Sequence, residues 1–547
     1  MESCKVIFRI EGGEDVTIFA ARGENVLELA RKSGVPIDAP CSGNGTCGKC
    51  LVREPDGDWQ LACKTTVNGD VVLLVPEIAS TYIRGITTEV FGKQGDRFSA
   101  FQKAENLSPC FPGLAIDIGT TTVSALLVDM ETGFIRAKAT TGNGQIRYGA
   151  DVINRIIEQQ KPDGVLKLQD AIIQDTLLPL IAELCAATGV PRDNITRLTV
   201  AANTTMNHLL LGVDANSIRL EPYEPVFLEF EPYRPSDIGI ELAPDAAMIL
   251  APNIGSYVGG DITAGVLAAA TPSGNKMWNR PEMSLLIDLG TNGEIVFGNE
   301  EFLMACACSA GPAFEGGDIG CGMRATGGAI EACTIDKASM EPEISVIGDG
   351  KPAGLCGSGL IDVVAGLFQA GIINGKGKIS VDGSRDSNTP GLKRISRDEY
   401  GTGFYTLVFA DDSASNRDIT ISDVDIDNFI RAKGAIFSGI MSLLSPLGFT
   451  PTDIDDVLIA GGIGSGINIK NAISIGMLPN LPMEKFSYIG NSSLSGAYEM
   501  LTSADAEERV VEIARNMTYI ELSSEPSYMD EFIAACFIPH TDETLFR

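Results

Sequence analysis

The sequence predicts a multidomain α/β protein, with a small β-rich module at the N-terminus and a larger region in which apolar strands run into glycine turns. Three observations carry this expectation. Two strand–turn–strand stretches, Leu114–Asp129 (LAIDIGTTTVSALLVD) and Leu285–Gly298 (LLIDLGTNGEIVFG), repeat one plan about 170 residues apart. A third, DDVLIAGGIGSGINIK, sends an apolar strand at Val457–Ala460 into Gly461, Gly462, Gly464 and Gly466. The first 76 residues hold Cys41, Cys47, Cys50 and Cys63 in a glycine-rich loop and the hairpin after it.

Composition narrows the function. A length of 547 residues and 44% apolar content support several domains with large cores. The net charge of -31 argues against nucleic acid or an anionic membrane as partner, since both want a basic face. No apolar run approaches the ~18 residues of a membrane span. MESCKVIFRIEGGEDV lacks the apolar block of a signal peptide, so a cytoplasmic location is expected. The 13 cysteines, odd in number, point to metal or redox use rather than a disulfide framework.

The first element in the chain is a hairpin, Lys5–Ile10 with Val16–Phe19, followed by helical spacing across Asn25–Ser33. Cys41, Cys47 and Cys50 then make a C-x5-C-x2-C run in APCSGNGTCGKC, with Cys63 across a short hairpin. Four thiolates in a glycine loop suit a 2Fe-2S centre, and a tetrahedral zinc is the alternative. The asymmetric spacing favours iron and sulfur, because zinc sites usually come as two C-x2-C knuckles. From 77 to 112 periodicity fades into a linker in which Cys110 reads as a stray thiol.

In the first hairpin the turn is Gly119, Thr120, Thr121 and Thr122, after Asp117; in the second it is Gly290, Thr291, Asn292 and Gly293, after Asp288. Glycine lets backbone N–H groups crowd phosphate oxygens, threonine hydroxyls add donors, and each aspartate can hold water or Mg2+. Between them, Val152, Ile153, Ile156 and Ile157 read as one helix face, and Val165–Ala187 as a helix interrupted at Pro179. Asn203 and Thr204 read as caps of the next helix, and His208 as a satisfied core residue. Asp261 opens a further helix, either as a cap or as the group orienting an attacking water. Cys306, Cys308 and Cys321 favour packing over a second metal. Gly357 and Gly359 lead a helix whose N-terminus could face an anion. Gly461, Gly462 and Gly464 leave room for a flat adenosine against the backbone. Lys433 either reaches the nucleotide or lies on a solvated helix face.

The N-terminal module resembles a 2Fe-2S ferredoxin of the adrenodoxin-like spacing. DIGTTT, DLGTNG and IAGGIGSG, in that order, resemble the phosphate 1, phosphate 2 and adenosine motifs of the actin-like, sugar kinase and Hsp70 ATPase superfamily. With NTTMNHL, APNIGSYVGGD, GPAFEG, CGSGLID and GNSSLSGA as well, the whole chain resembles the reductive activators of corrinoid proteins. The resemblance implies a β-grasp ferredoxin domain (1–76), a linker (77–112) and a two-lobed actin-like (ribonuclease H-like) ATPase. Its first lobe, 113–282, carries phosphate 1, and the C-terminal lobe, 283–547, carries phosphate 2 and the adenosine motif. Ala201-Ala202-Asn203 replaces the family's usual glycine before the asparagine, and Cys536 alone stands where some relatives have paired 4Fe-4S motifs, so one cluster per chain is expected.

The implied function is ATP-dependent delivery of one electron from the 2Fe-2S cluster to a corrinoid methyl-transfer protein, returning inactive Co(II) to Co(I). An upstream low-potential electron donor and a homodimer are implied with it. The alternatives are an ATP-driven activator of a dehydratase or ring reductase, against which the cysteine spacing argues, a nucleotide-binding redox sensor, and a small-molecule kinase.

Overall fold

A computed structural model describes residues 3–10, 15–35, 37, 39, 43, 50–55, 57, 59–75, 87–90, 111–290, 292–380, 386–462 and 466–546. Of the residues singled out above, Cys41, Cys47, Cys110, Thr291 and Gly464 lie outside these. The chain gathers into two compact units that do not follow a single cut, Met1–Gly265 with Ser493–Ala514, and Val266–Ser492 with Arg515–Arg547.

At the N-terminus, alternation of apolar and polar residues makes β1 (Ser3–Ile10) and β2 (Val16–Ala21) an antiparallel pair with Val6 and Phe8 fully buried. Helix α1 (Val26–Lys32) starts where the Asn25 side chain accepts from Leu27 N and Glu28 N, and it buries Leu27, Leu29 and Ala30 in the same core. A two-residue ladder, β3 (Leu51–Val52) with β4 (Gln60–Leu61), precedes β5 (Val71–Val75), which runs parallel to β1.

Unit one is built on a six-stranded sheet. Within the expected linker, β6 (Thr87–Val90) forms its edge by pairing with β9. Then come β7 (Pro112–Ile118), β8 (Thr122–Asp129) and β9 (Phe134–Gly142). On α2 (Val152–Gln159) the buried residues include Val152, Arg155 and Ile156, whereas Ile157, expected inward, is exposed. Five residues on from Val152 is about 140° round the helix, off the packed face.

Gly164–Thr188 is one continuous helical run: α3 (Gly164–Ile172), a π turn (Ile173–Leu177) and α4 (Leu178–Thr188). Pro179 therefore does not interrupt it. Its missing N–H falls in the first turn of α4, directly after the wider turn. The run is apolar enough to cross a membrane by length and composition, with mean hydropathy 1.4, contrary to the expectation that no such stretch exists. Its Leu168, Ile172, Leu177, Leu180, Ile181 and Leu184 are spent on the sheet's core. The unit's remaining elements up to Gly265 include β10 (Arg197–Ala202), α5 (Thr204–Leu211), β11 (Ala247–Leu250) and α6 (Gly260–Ala268, which ends just beyond the unit boundary).

Unit two repeats the plan with β12 (Ser284–Leu289), β13 (Gly293–Gly298) and β14 (Leu303–Cys308). Two three-stranded sheets are inserted around α7 (Gly357–Gln369): β15 (Ala329–Ile335), β16 (Pro342–Val346) and β17 (Gly354–Leu355) before it, and β18 (Ile395–Arg397), β19 (Gly403–Val408) and β20 (Ile419–Ser422) after it. Helix α8 (Asp423–Leu444) opens on a Ser422/Asp425 capping box and packs on β13 and β14. Then follow β21 (Asp456–Ala460), α9 (Ile469–Ser474) and β22 (Phe486–Gly490). Helices α10 (Ser492–Thr502) and α11 (Ala506–Asn516) fall almost wholly in unit one, before β23 (Met517–Tyr519) and α12 (Tyr528–Ala535) return to unit two.

The two large sheets have the orders β11-β10-β7-β8-β9-β6 and β22-β21-β12-β13-β14-β23. In each, two successive parallel strands lie on one side of the first hairpin strand, and on its other side the hairpin continues antiparallel. The repeated motif read from the sequence is thus the local part of a repeated sheet, as expected for two actin-like lobes.

Candidate functional site

In the β7–β8 turn, Gly119 N donates to Thr122 O at 3.0 Å, and a Cβ at Gly119 would stand 2.6 Å from that same oxygen. Only glycine fits, and the turn is braced at each following carbonyl. Asn143 donates its amide to Gly119 O at 2.9 Å and its backbone N–H to Thr121 O at 2.9 Å. The fully buried Arg155 donates to Thr120 O, to Gly149 O at 2.9 Å and to Gln145 Oε1 at 3.2 Å. Asn203 caps α5 by accepting from Met206 N, as expected, and it also donates to Thr120 Oγ1 at 3.1 Å. Asp117 sits half-buried at the end of β7, one residue pair before the turn.

The sequence reading gave no role to Asn143 or Arg155, and to Asn203 only the cap. An arginine three residues after Val152, on the buried face of α2, is the signal that marks Arg155. Nothing local marks Asn143.

Asp261 lies in the first turn of α6, where its carboxylate accepts from Ile262 N at 2.9 Å. The residue that receives Gly260 N at the helix start is Asn253, so Asp261 is not the cap. His208 is fully buried. Its Nδ1 lies 2.7 Å from Thr204 O and its Nε2 accepts from Val226 N at 3.2 Å, which fixes the neutral ring with the proton on Nδ1. Burial lowers its pKa in the same sense. It is the satisfied core residue expected.

In unit two, Gly290 N donates to Asn292 O at 3.1 Å across the β12–β13 turn. Gly293 closes it with its carbonyl 3.0 Å from the Cys308 thiol. Asp288 ends β12, and Gly461, at φ +91°, lies against it: a Cβ at 461 would stand 2.6 Å from Asp288 Oδ1 and 2.5 Å from Leu289 O. Burial raises the Asp288 carboxyl to about 6, with the Ser492 hydroxyl working the other way. Gly461 N donates to Gly490 O, and Tyr488 Oη donates to Gly461 O at 3.1 Å. Gly462 is exposed beyond this contact. Gly466 approaches Ser358 in the first turn of α7, where a Cβ would meet Ser358 Oγ at 3.1 Å.

Lys433 corrects the sequence reading. It is neither on a solvated face nor directed at a nucleotide: it is fully buried, and its ammonium donates to Phe537 O at 2.5 Å, Pro539 O at 2.7 Å and Gly476 O at 3.5 Å. The cost of burial lowers it to about 7. Cys306 and Cys308 are buried on β14, and burial pushes both thiols up. Protonated thiols of that kind are packing groups, and no cluster of three or more metal-binding side chains occurs among the described residues.

Of the four N-terminal cysteines, Cys50 and Cys63 lie in the described residues. The β3–β4 ladder brings their segments together, with Ala62 N donating to Cys50 O at 2.6 Å. The Asn25 amide that caps α1 also donates to Cys63 O at 2.9 Å. Gly43, at φ +88°, lies so that a Cβ would stand 3.6 Å from Cys63 Cβ and 3.0 Å from Leu27 Cδ2. Cys63 is thus set beside glycine backbone, and cysteine thiols are the donors a 2Fe-2S cluster takes.

Residues 10–71 match the 2Fe-2S iron-sulfur cluster binding domain, 112–271 the RACo middle region, and 282–547 the C-terminal domain of RACo, the ASKHA domain. Corrinoid activation enzyme RamQ of Eubacterium limosum is 32% identical over 93% of this chain and 95% of its own length. The [Co(II) methylated amine-specific corrinoid protein] reductase of Methanosarcina barkeri is 23% identical over 74% and 73%. The solved structure of a reductive activator for corrinoid, iron-sulfur protein superposes with a TM-score of 0.71 at 37% identity, covering 99% of both chains.

Proposed function

We propose that this chain, which belongs to the family of reductive activators of corrinoid proteins, uses ATP to return a corrinoid methyl-transfer protein from Co(II) to Co(I). The observation that carries this reading is that one chain joins a 2Fe-2S module to an ASKHA region, with similarity to corrinoid activators over 93% of its length. The cluster, when bound, supplies one low-potential electron, received from an upstream donor. Cys50 and Cys63 hold it together with Cys41 and Cys47. Plant-type clusters lie near roughly -400 mV, short of what Co(I) demands, so ATP has to favour a conformation of the two-protein complex in which the transfer runs downhill.

On the nucleotide side, the β7–β8 turn (Gly119, Thr120, Thr121, Thr122) and the β12–β13 turn (Gly290, Thr291, Asn292, Gly293) offer backbone N–H groups and hydroxyls to the phosphates. Asp117 and Asp288 hold Mg2+ or water, and Gly461, Gly462 and Gly464 take the adenosine. The test is to mix the reduced protein anaerobically with a Co(II) corrinoid methyl-transfer protein from the same cell and follow the Co(I) absorption band. Co(I) is expected only with MgATP. Equal Co(I) without ATP, or none while cluster spectrum and ATP binding are both intact, overturns the proposal.

A further inference from the structure

The hydroxyl of Thr120 has its hydrogen-bonding role set for it. Asn203 Nδ2 lies 3.1 Å from Thr120 Oγ1. The orientation of that amide is fixed at its other end, where Asn203 Oδ1 accepts from Met206 N at 2.9 Å, because a backbone N–H is received by oxygen. The nitrogen is therefore the atom aimed at Thr120, and it only donates. A hydroxyl that accepts there keeps its single proton for donation elsewhere. Both residues are buried, Asn203 6% and Thr120 5% exposed, and neither can drift. Thr204 Oγ1 ties the start of α5 to Gly255 O at 2.6 Å, and Gly259 packs so closely that a Cβ there would stand 2.6 Å from Asn203 C. On the other side, Arg155 holds the Thr120 carbonyl.

We propose that Asn203 is a positioning residue of the nucleotide site, whose amide directs the Thr120 hydroxyl proton toward the nucleotide's phosphate oxygens. This rests on the reading of the β7–β8 turn as phosphate-binding. A residue that only caps α5 is replaceable by any good capping side chain, and Ser and Asp both cap. Neither carries the amide donor. Ser is neutral but one bond short. Asp has the right length, and there the Thr120 hydroxyl must turn and give its proton to the carboxylate.

The test uses the full-length protein with its cluster and measures MgATP affinity, turnover and melting temperature together. Asn203→Ser and Asn203→Asp are expected to weaken ATP binding by about tenfold or more. Turnover at saturating ATP should change less than about threefold, and the melting temperature should stay within about 2 °C. In a Thr120→Val background, Asn203→Ser should add nothing, because the hydroxyl it positions is gone. An Asn203→Ser protein that binds ATP like wild type overturns the inference, as does a penalty that persists in full beside Thr120→Val, or a loss of more than about 5 °C in both variants, which marks a purely structural residue. Wild-type protein that binds no ATP sinks the nucleotide reading and this inference together, whereas wild-type binding with unaltered variants sinks this one alone.

Discussion

Gly461 and Asp288 lie in backbone-to-carboxylate contact, at a separation that leaves no room for a Cβ at 461. The pair joins the end of β12 to the turn after β21, two neighbouring parallel strands, so the aspartate of one motif is walled by the glycine of another. Gly461→Ala adds a clash at 2.5 Å with Leu289 O and asks alanine for φ +91°. A cost of about 2 kcal/mol or more is expected. Denaturant unfolding should show the loss and ATP titration a weakened site; wild-type values in both would refute the contact's importance.

A second prediction follows from the protonation of Asp288. Its carboxyl is raised from 3.8 to about 6 in the folded protein. The folded state therefore binds more protons than the unfolded one between those values, and stability falls as pH rises through that window. Asp288→Asn removes the penalty and should stabilise the protein above pH 6 by up to about 3 kcal/mol, with little effect below pH 4. The same substitution should abolish ATP hydrolysis, while wild-type hydrolysis rises with an acid limb near pH 6 that MgATP moves downward. A stability gain together with dead hydrolysis is the outcome sought.

Where the sequence was readable, the structure is local. Asp117 with Gly119, and Asp288 with Gly290, lie within three residues of each other, and the hairpin they punctuate is one sequence stretch. What could not be read depends on distant chain. Lys433 reads as either nucleotide-reaching or solvated because its partners, Phe537 and Pro539, are more than 100 residues on. Arg155 carries no readable role because its acceptor, the Thr120 carbonyl, lies 35 residues back along the chain. The return of Ser493–Ala514 to the first unit leaves no mark in periodicity at all.

The third prediction uses Lys433 to separate architecture from nucleotide binding. Lys433→Met deletes the donor from three carbonyls, at Gly476, Phe537 and Pro539, and leaves buried acceptors unmatched. About 3 kcal/mol or more should be lost. Hydrogen exchange should quicken across 528–546, where α12 packs on α8. ATP affinity should stay unchanged at temperatures where the variant is folded; a selective loss of affinity would restore Lys433 to the nucleotide site.

The fourth prediction separates the cluster from the ATPase. Cys63 is held through its backbone, by the Asn25 amide on its carbonyl, so replacing the side chain leaves the hairpin tethered. Cys63→Ser exchanges a soft thiolate for a hydroxyl, a poor ligand for iron in a sulfide cluster. The visible absorption of the 2Fe-2S centre and Co(I) formation should both disappear, while MgATP binding and basal hydrolysis persist. Asn25→Ala does the reverse: it keeps all four thiols but removes both the α1 cap and the tether, a cost of about 1 kcal/mol. That variant should take up a cluster and lose it faster in air than wild type. If Cys63→Ser keeps a full 2Fe-2S spectrum, Cys63 is not the fourth ligand, and the hairpin carries the module's fold without its chemistry.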